Sequence, residues 1–198
     1  MHMARRTARL GLLVIVGALA SGCGINNIPT YDEGVKAAWG QVQNQYQRRA
    51  DLVPNLVATV QGYAAHERET LQAVIEARSK VAQMNVSPEI LSDPAAFKAF
   101  EQNQAQLTSA LSRLMVVVER YPDLKANQNF LELQSQLEGT ENRIVVERKR
   151  FNESAQEYNT KIKQFPTNLV ARFFGFGEKQ YFQGAPGSEK TPVVDFSR

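Results

Sequence analysis

From Tyr31 to Ile162 the apolar side chains return at steps of three and four residues, and that rhythm restricts what the chain can become. An α-helix turns once every 3.6 residues, so such steps line one helical face, whereas a half-buried strand needs alternation. Val35, Trp39, Val42, Tyr46, Val53, Leu56, Val60, Tyr63, Val74 and Val81 form a first stripe between Tyr31 and Ala82. Phe97, Phe100, Leu107, Leu111, Leu114, Val117 and Val118 form a second, from Pro94 to about Arg120, with Asp93-Pro94 reading as an N-cap and first helical residue. A third runs from near Asn127 to about Gln164 through Phe130, Leu133, Leu137, Ile144, Phe151, Ala155, Tyr158 and Ile162, and Pro166 closes it. At 1.5 Å per residue these stretches would measure ~75, ~40 and ~57 Å. The predicted fold is all-α, an elongated antiparallel up-and-down bundle of three long helices.

The first stretch is too long for its partners to cover. Pro54 lacks an amide hydrogen and clashes with the preceding turn, while the apolar phase continues across it, which predicts one helix kinked near Pro54. The alternative is a fresh start with Asp51 as N-cap and Pro54 in the first turn, giving four segments. Residues after Pro166 shift to Leu169, Val170, Phe173, Phe174, Phe176, Tyr181 and Phe182 around Gly175 and Gly177, a short amphipathic turn or helix expected to dock on the bundle. Residues 183–198 are expected to be a flexible tail.

The first residues carry a different signal. Arg5, Arg6 and Arg9 precede the apolar run Leu10–Ala20 and then Ser21-Gly22-Cys23, the layout of a secretory signal. As a helix the run spans ~16 Å, about half of the ~30 Å hydrocarbon core. Leu19-Ala20-Ser21-Gly22-Cys23 resembles the bacterial lipobox, whose cysteine thiol receives a diacylglyceryl group, after which the signal peptide is cut before the cysteine and the new amino terminus is acylated, for example with palmitate. One chain holds a protein only marginally, whereas two or more, at about 0.8 kcal/mol per buried CH₂, hold it firmly. Residues 1–22 thus read as signal peptide, Cys23 as the lipidation site, 23–30 as a lipidated tether and 31–182 as the bundle. A short membrane-spanning segment and a plain exported chain are the competing readings. Gly24 follows the cysteine where aspartate would resemble an inner-membrane retention signal, which favours the periplasmic side of the outer membrane in a host with two membranes.

Charge follows the same division. The chain has 23 Lys+Arg and 20 Asp+Glu, but three of the arginines lie in the leader, which has no acid, so the remainder is balanced. A balanced body lacks the cationic excess that drives nucleic-acid binding. No enzyme is predicted. After the leader His66 is the only histidine and Cys23 the only cysteine, so a di-iron site needing Glu-x-x-His on two helices and a Cys/His zinc site both fail, and neither metal nor other cofactor is expected. Gly175 and Gly177 lack the third glycine and the preceding strand of a phosphate loop. Glu138 with Glu141, and Glu67 with Glu69, read as helix-surface salt-bridge partners, as does the basic run Arg143–Arg150 among Glu141, Glu147 and Glu153.

Four charged residues fall on the apolar seam itself: Arg49 and Glu67 in the first stretch, Glu141 and Arg148 in the third. Buried charges must be paired or they cost several kcal/mol each. A mutually satisfied ionic layer that sets helix register is the economical reading, and a polar ligand site inside the bundle is the functional alternative. Gly62 and Gly139 lie mid-helix, where close approach of another helix would compensate their cost of about 1 kcal/mol.

Several of these residues sit in longer motifs. Asn27-x-Ile-Pro-x-x-Asp-Glu with Ala38-Trp39, Tyr46-Gln-Arg-Arg-Ala-Asp-Leu-Val-Pro-Asn-Leu-Val, Gly62-Tyr63, Tyr121-Pro-Asp-Leu-Lys-Ala-Asn-Gln-Asn-Phe130, Gly139-Thr-Glu-Asn-Arg-Ile144, Tyr158-Asn159 and Phe165-Pro166 together resemble the bacterial LemA family over residues 25–182. The resemblance implies long antiparallel helices attached to the cell envelope by an N-terminal apolar segment, and it implies no catalytic residue. Here a lipobox stands where other members have a spanning helix. The expected function is a non-enzymatic, lipid-anchored envelope protein acting as a structural or interaction scaffold, with a membrane and other envelope proteins as partners. The alternative is a periplasmic binding protein that holds a lipid or other amphiphile on its C-terminal aromatic segment.

Overall fold

The computed structural model describes residues 27–84 and 86–184; the leader, Cys23 and the tail beyond Gly184 lie outside them. The described residues form α1 (Ile28–Tyr63), α2 (Arg68–Ala82), a 3-10 turn (Pro88–Ser92), α3 (Pro94–Val118), the single turn α4 (Pro122–Lys125), α5 (Gln128–Lys163) and α6 (Thr167–Phe174), with no strand among them. Residues 176–184 then run without helical structure as a strap along the bundle.

Local chemistry sets most of the boundaries. The Asp93 carboxylate accepts hydrogen bonds from the amides of Ala95 and Ala96 at 2.9 and 3.0 Å, and Pro94 occupies a position whose missing amide leaves nothing unsatisfied. Asn127 caps α5 by accepting from the Phe130 amide at 3.1 Å. Gly175 ends α6 in the left-handed region at φ 75°, where a side chain would be strained.

Pro54 does not divide the first stretch. α1 passes through it, and the chain leaves the helix at Ala64–Glu67 before returning as α2. The carbonyl that the proline frees is served from another helix. The missing amide orphans the carbonyl of Ala50, one helical turn earlier, and Arg78 of α2 supplies a replacement, its Nε donating to that oxygen at 3.0 Å. The turn at 64–67 is held instead by contacts from distant residues: Glu67 accepts from Arg120 Nη2 and from the Tyr121 hydroxyl, each at 2.9 Å.

α1 and α5 are the long pair, 36 residues or ~54 Å each, and they run antiparallel. Lys161 lies over the Tyr31 ring, Arg49 meets Glu141, and Asn127 donates to the Tyr63 hydroxyl, so one index falls as the other rises. α2 folds back along the far half of α1 and against α3, so that half is a four-segment helical bundle. The near half has no α2. There the 3-10 turn and the C-terminal strap close the core instead, contributing Ile90, Leu91 and Phe182. Gly62 and Gly139 do not mark close approaches: a Cβ on either would meet nothing within 4 Å.

Candidate functional site

Arg49 is the interior feature that most needs an explanation, because this charged residue is only 1% exposed. Its Nη1 donates to Glu141 Oε1 at 2.9 Å and to Thr108 Oγ1 at 2.8 Å, and its Nη2 donates to the side-chain and main-chain oxygens of Gln104. The guanidinium carbon also lies 5.1 Å from the Tyr46 ring centroid. A planar fork with several donors suits this role, since a single cation reaches two other helices at fixed angles. Glu141 remains 37% exposed, so the ion pair is buried on one side and wet on the other.

The position of this layer matters as much as its bonds. On α1 it separates the core residues Ile28–Tyr46 from Val53–Val60. On α3, Gln104 and Thr108 fall between Phe97 and Phe100 on one side and Leu111 and Leu114 on the other. On α5, Glu141 lies between Leu137 and Ile144. One polar layer thus divides the apolar interior into two clusters on all three helices. Above it, an open cleft of about 620 Å³ between α3 and α5 is lined in part by Thr108, Ser112, Gln134, Glu138 and Glu141. Its carboxylates are already partnered, Glu138 by Gln134 at 2.9 Å and Glu141 by Arg49.

The other seam residues are placed apart. Arg148 donates to the main-chain oxygen of Gln183 at 3.0 Å, lies 3.6 Å from Glu101 and covers the Phe182 ring at 4.5 Å, so it holds the strap. Glu67 lies at the far end, where it joins the α1–α2 turn to Arg120 and Tyr121; its hydrogen bond pushes the Tyr121 phenol above its ordinary value. The structure therefore brings Arg49 and Glu141 together, and gives Arg148 and Glu67 separate partners. His66 is exposed in the α1–α2 turn. Among the described residues no group of three His, Cys, Asp or Glu side chains could hold a metal.

The grip on the strap is a second polar device, one not anticipated from sequence. Asn159 donates to the Lys179 carbonyl and accepts from the Lys179 amide, both at 2.9 Å, and Asn152 does the same for Phe182 at 3.0 and 2.9 Å. Two helical turns between these asparagines rise ~10.5 Å, and three extended residues advance ~10 Å, so the two side-chain amides match the strap's spacing. Lys179 also pairs with Asp32 of α1 at 2.9 Å. Burial works to raise the Asp32 pKa, but hydrogen bonds and charges from Lys36 and Lys179 outweigh it and hold the carboxyl below its ordinary value. The Tyr158 hydroxyl donates to the Gly177 carbonyl at 3.0 Å, and burial, with the nearby Asp32 charge, pushes that phenol up to about 12, so it remains a donor. Asparagines seven apart on an apolar helical face are the signal from which this grip was readable.

Comparison with known proteins fits this architecture. The model of the LemA family matches residues 38–196. Magnetosome protein MamQ 2 of Paramagnetospirillum magneticum is 28% identical over 185 residues, covering 85% of this chain and 68% of that protein. Magnetosome protein MamQ of Magnetospirillum gryphiswaldense aligns with the same identity and coverage. Protein LemA of Metamycoplasma hominis is 27% identical over 151 residues, and the match spans 76% of this chain and 65% of that relative. Since the family model extends over most of the chain, from within α1 past the end of the strap, the chain belongs to the LemA family.

Proposed function

We propose that this protein is a non-enzymatic scaffold of the cell envelope, attached to a membrane through acyl chains on Cys23 and presenting its helical rod to other envelope proteins. The observation that carries the non-catalytic part is the use made of interior polar groups. Arg49, Gln104, Asn152 and Asn159 are engaged in joining helices or gripping the strap, and this structural use accounts for their burial. Attachment through the leader agrees with the described helices, none of which is long and apolar enough to cross a membrane. Relatives named for a place, the magnetosome, and not for a reaction agree with a scaffold as well. In a host with two membranes the periplasmic side of the outer one is the proposed location.

Fractionation tests the attachment. The Cys23→Ser variant is expected to leave the membrane pellet after an alkaline wash, and a variant that stays would mean an uncut, spanning apolar run. A Phe173→Ser, Phe174→Ser double variant, which changes exposed rings and keeps the strap, tests the role: a scaffold keeps its crosslinked partners, and loss of those partners with bound lipid in native mass spectrometry would favour an amphiphile binder. The second reading, an amphiphile held on the C-terminal aromatic segment, draws on the apolar side chains around α6. Those side chains are mostly exposed, which suits contact with an extended surface better than enclosure of one molecule.

A further inference from the structure

Phe165, Leu169, Phe173 and Phe174 are 80%, 59%, 84% and 68% exposed. Leu169 and Phe173 lie one turn apart on α6, and the Phe173 and Phe174 rings meet edge to face at 5.2 Å. The opposite side of the same helix is fixed. Ala171 is buried, Val170 packs on the aromatic core, and the Phe176 amide donates to the Ala171 carbonyl at 2.9 Å beyond the Gly175 cap. The helix is thus held in place with apolar side chains turned toward solvent, a cluster that marks an interaction surface.

Its place in the bundle indicates what covers it. α6 begins directly after the last turn of α5, and that turn lies beside the first turn of α1, with Lys161 over Tyr31 and Lys179 paired to Asp32 at 2.9 Å. Cys23 is five residues upstream of Ile28, a distance the chain can span by at most about 18 Å. The apolar cluster and the anchoring thiol therefore belong to the same end of a ~54 Å rod. Arg172 is exposed nearby, where its stem can follow apolar surface while its head reaches phosphates; Lys163 is paired with Glu178 at 2.8 Å. At ~12 Å the helix is far too short to span a bilayer, and its length suits lying in the interface.

We propose that the outward side of α6, through Leu169, Phe173 and Phe174, together with Phe165 just before it, inserts into the interfacial layer of the bilayer that carries the Cys23 anchor. This second contact fixes how the rod stands on the membrane. It rests on the anchor reading above, because an interfacial patch this small needs a second attachment to bind firmly.

The test uses protein purified from membranes with its anchor, carrying Phe173→Trp, in vesicles of phosphatidylethanolamine and phosphatidylglycerol at 3:1. Phe173 is exposed, so the change leaves packing intact, and the wild type with buried Trp39 supplies the background. With lipids brominated near the glycerol end of the acyl chains, the added emission is expected to fall by roughly half or more relative to unbrominated vesicles, as it would for a ring ~5–10 Å below the headgroups. Unquenched emission at a water-exposed wavelength overturns the proposal. Blue-shifted but unquenched emission also overturns it, since residues 185–198, a second copy or a partner protein would then cover the face. The mass of the N-terminal peptide from the same sample separates the two claims. Acylated Cys23 with no quenching removes the α6 contact and leaves the anchor, while quenching with unmodified Cys23 removes the anchor and supports the contact.

Discussion

The two halves of the interior are built from different materials. Toward residue 28 the core is a cluster of rings: Trp39 lies 5.1 Å from Phe100, 5.6 Å from Phe151 and 6.1 Å from Phe182, centroid to centroid, with Phe97 and Tyr158 in the same cluster. Beyond the Arg49 layer it is mainly aliphatic, with Val53, Leu56, Val60, Leu107, Leu111, Leu114 and Leu137. The difference follows what closes each half. The aliphatic half is covered by helices, whose ridges and grooves accept branched chains. The aromatic half is covered by the 3-10 turn and the strap, non-helical segments whose main-chain groups need partners, and rings with polar tips supply some of them. Trp39 Nε1 donates to the Val86 carbonyl at 3.0 Å, just ahead of the 3-10 turn, and Tyr158 donates to Gly177 in the strap.

The comparison breaks most visibly at its rings. Trp39→Ala is expected to cost about 3–5 kcal/mol and Leu114→Ala about 2–5 kcal/mol in urea melts. Only the first should also expose the strap to protease, because Phe182 packs on Trp39. Equal strap cleavage in both variants would dissolve the distinction. Next in size is the layer between the halves. Glu141→Ala leaves the Arg49 cation without its carboxylate and is expected to cost about 1–3 kcal/mol, more than a surface change. A melt within error of wild type would deny the layer an energetic role.

How far such features were readable depended on whether their causes were local. The three long stripes, the cap at Asp93, the start of the third helix near Asn127 and the docking of the C-terminal segment came from periodicity, capping chemistry and composition within a few residues. The turn at 64–67 did not. Tyr63-Ala64-Ala65-His66-Glu67 contains neither glycine nor proline, and the break is held by Arg120 and Tyr121, more than fifty residues away. The apolar phase running across Pro54 already indicated one helix there, as α1 shows, but the donor that serves the freed carbonyl, Arg78, is remote and was not legible. Arg49 and Glu141 stood out as charges on an apolar seam. Their grouping with Gln104 and Thr108, and the separate tasks of Glu67 and Arg148, required the helices to be placed in register first.

The remaining predictions are smaller. Arg78→Ala leaves the buried Ala50 carbonyl unpaired and is expected to cost about 1–2 kcal/mol. In a Pro54→Ala background, where the helical bond can reform, that cost should shrink, and a double-mutant cycle showing no coupling would reject the pairing of these two residues. Gly139→Ala is expected to stabilise the protein by about 0.5–1 kcal/mol in thermal melts, because its Cβ enters open space. A loss would mean the position is crowded.

Acid should act mainly on the aromatic half. Asp32 has a lowered folded pKa, so its contribution is fully present above the unfolded value near pH 4 and is lost as pH falls through the folded value. The Lys179 and Phe182 amide shifts are expected to stay level from about pH 7 to about 4 and to move below that. A transition well above this window would point to a different group.

The account stands on attachment by lipid to the end of the rod nearest Ile28, and the N-terminal peptide of membrane-purified protein tests it directly by mass spectrometry. The predicted species begins at Cys23, lacks residues 1–22 and carries diacylglycerol with any further acyl chain on that residue. A peptide that retains the arginine-rich leader, with Cys23 as an unmodified thiol, would contradict it.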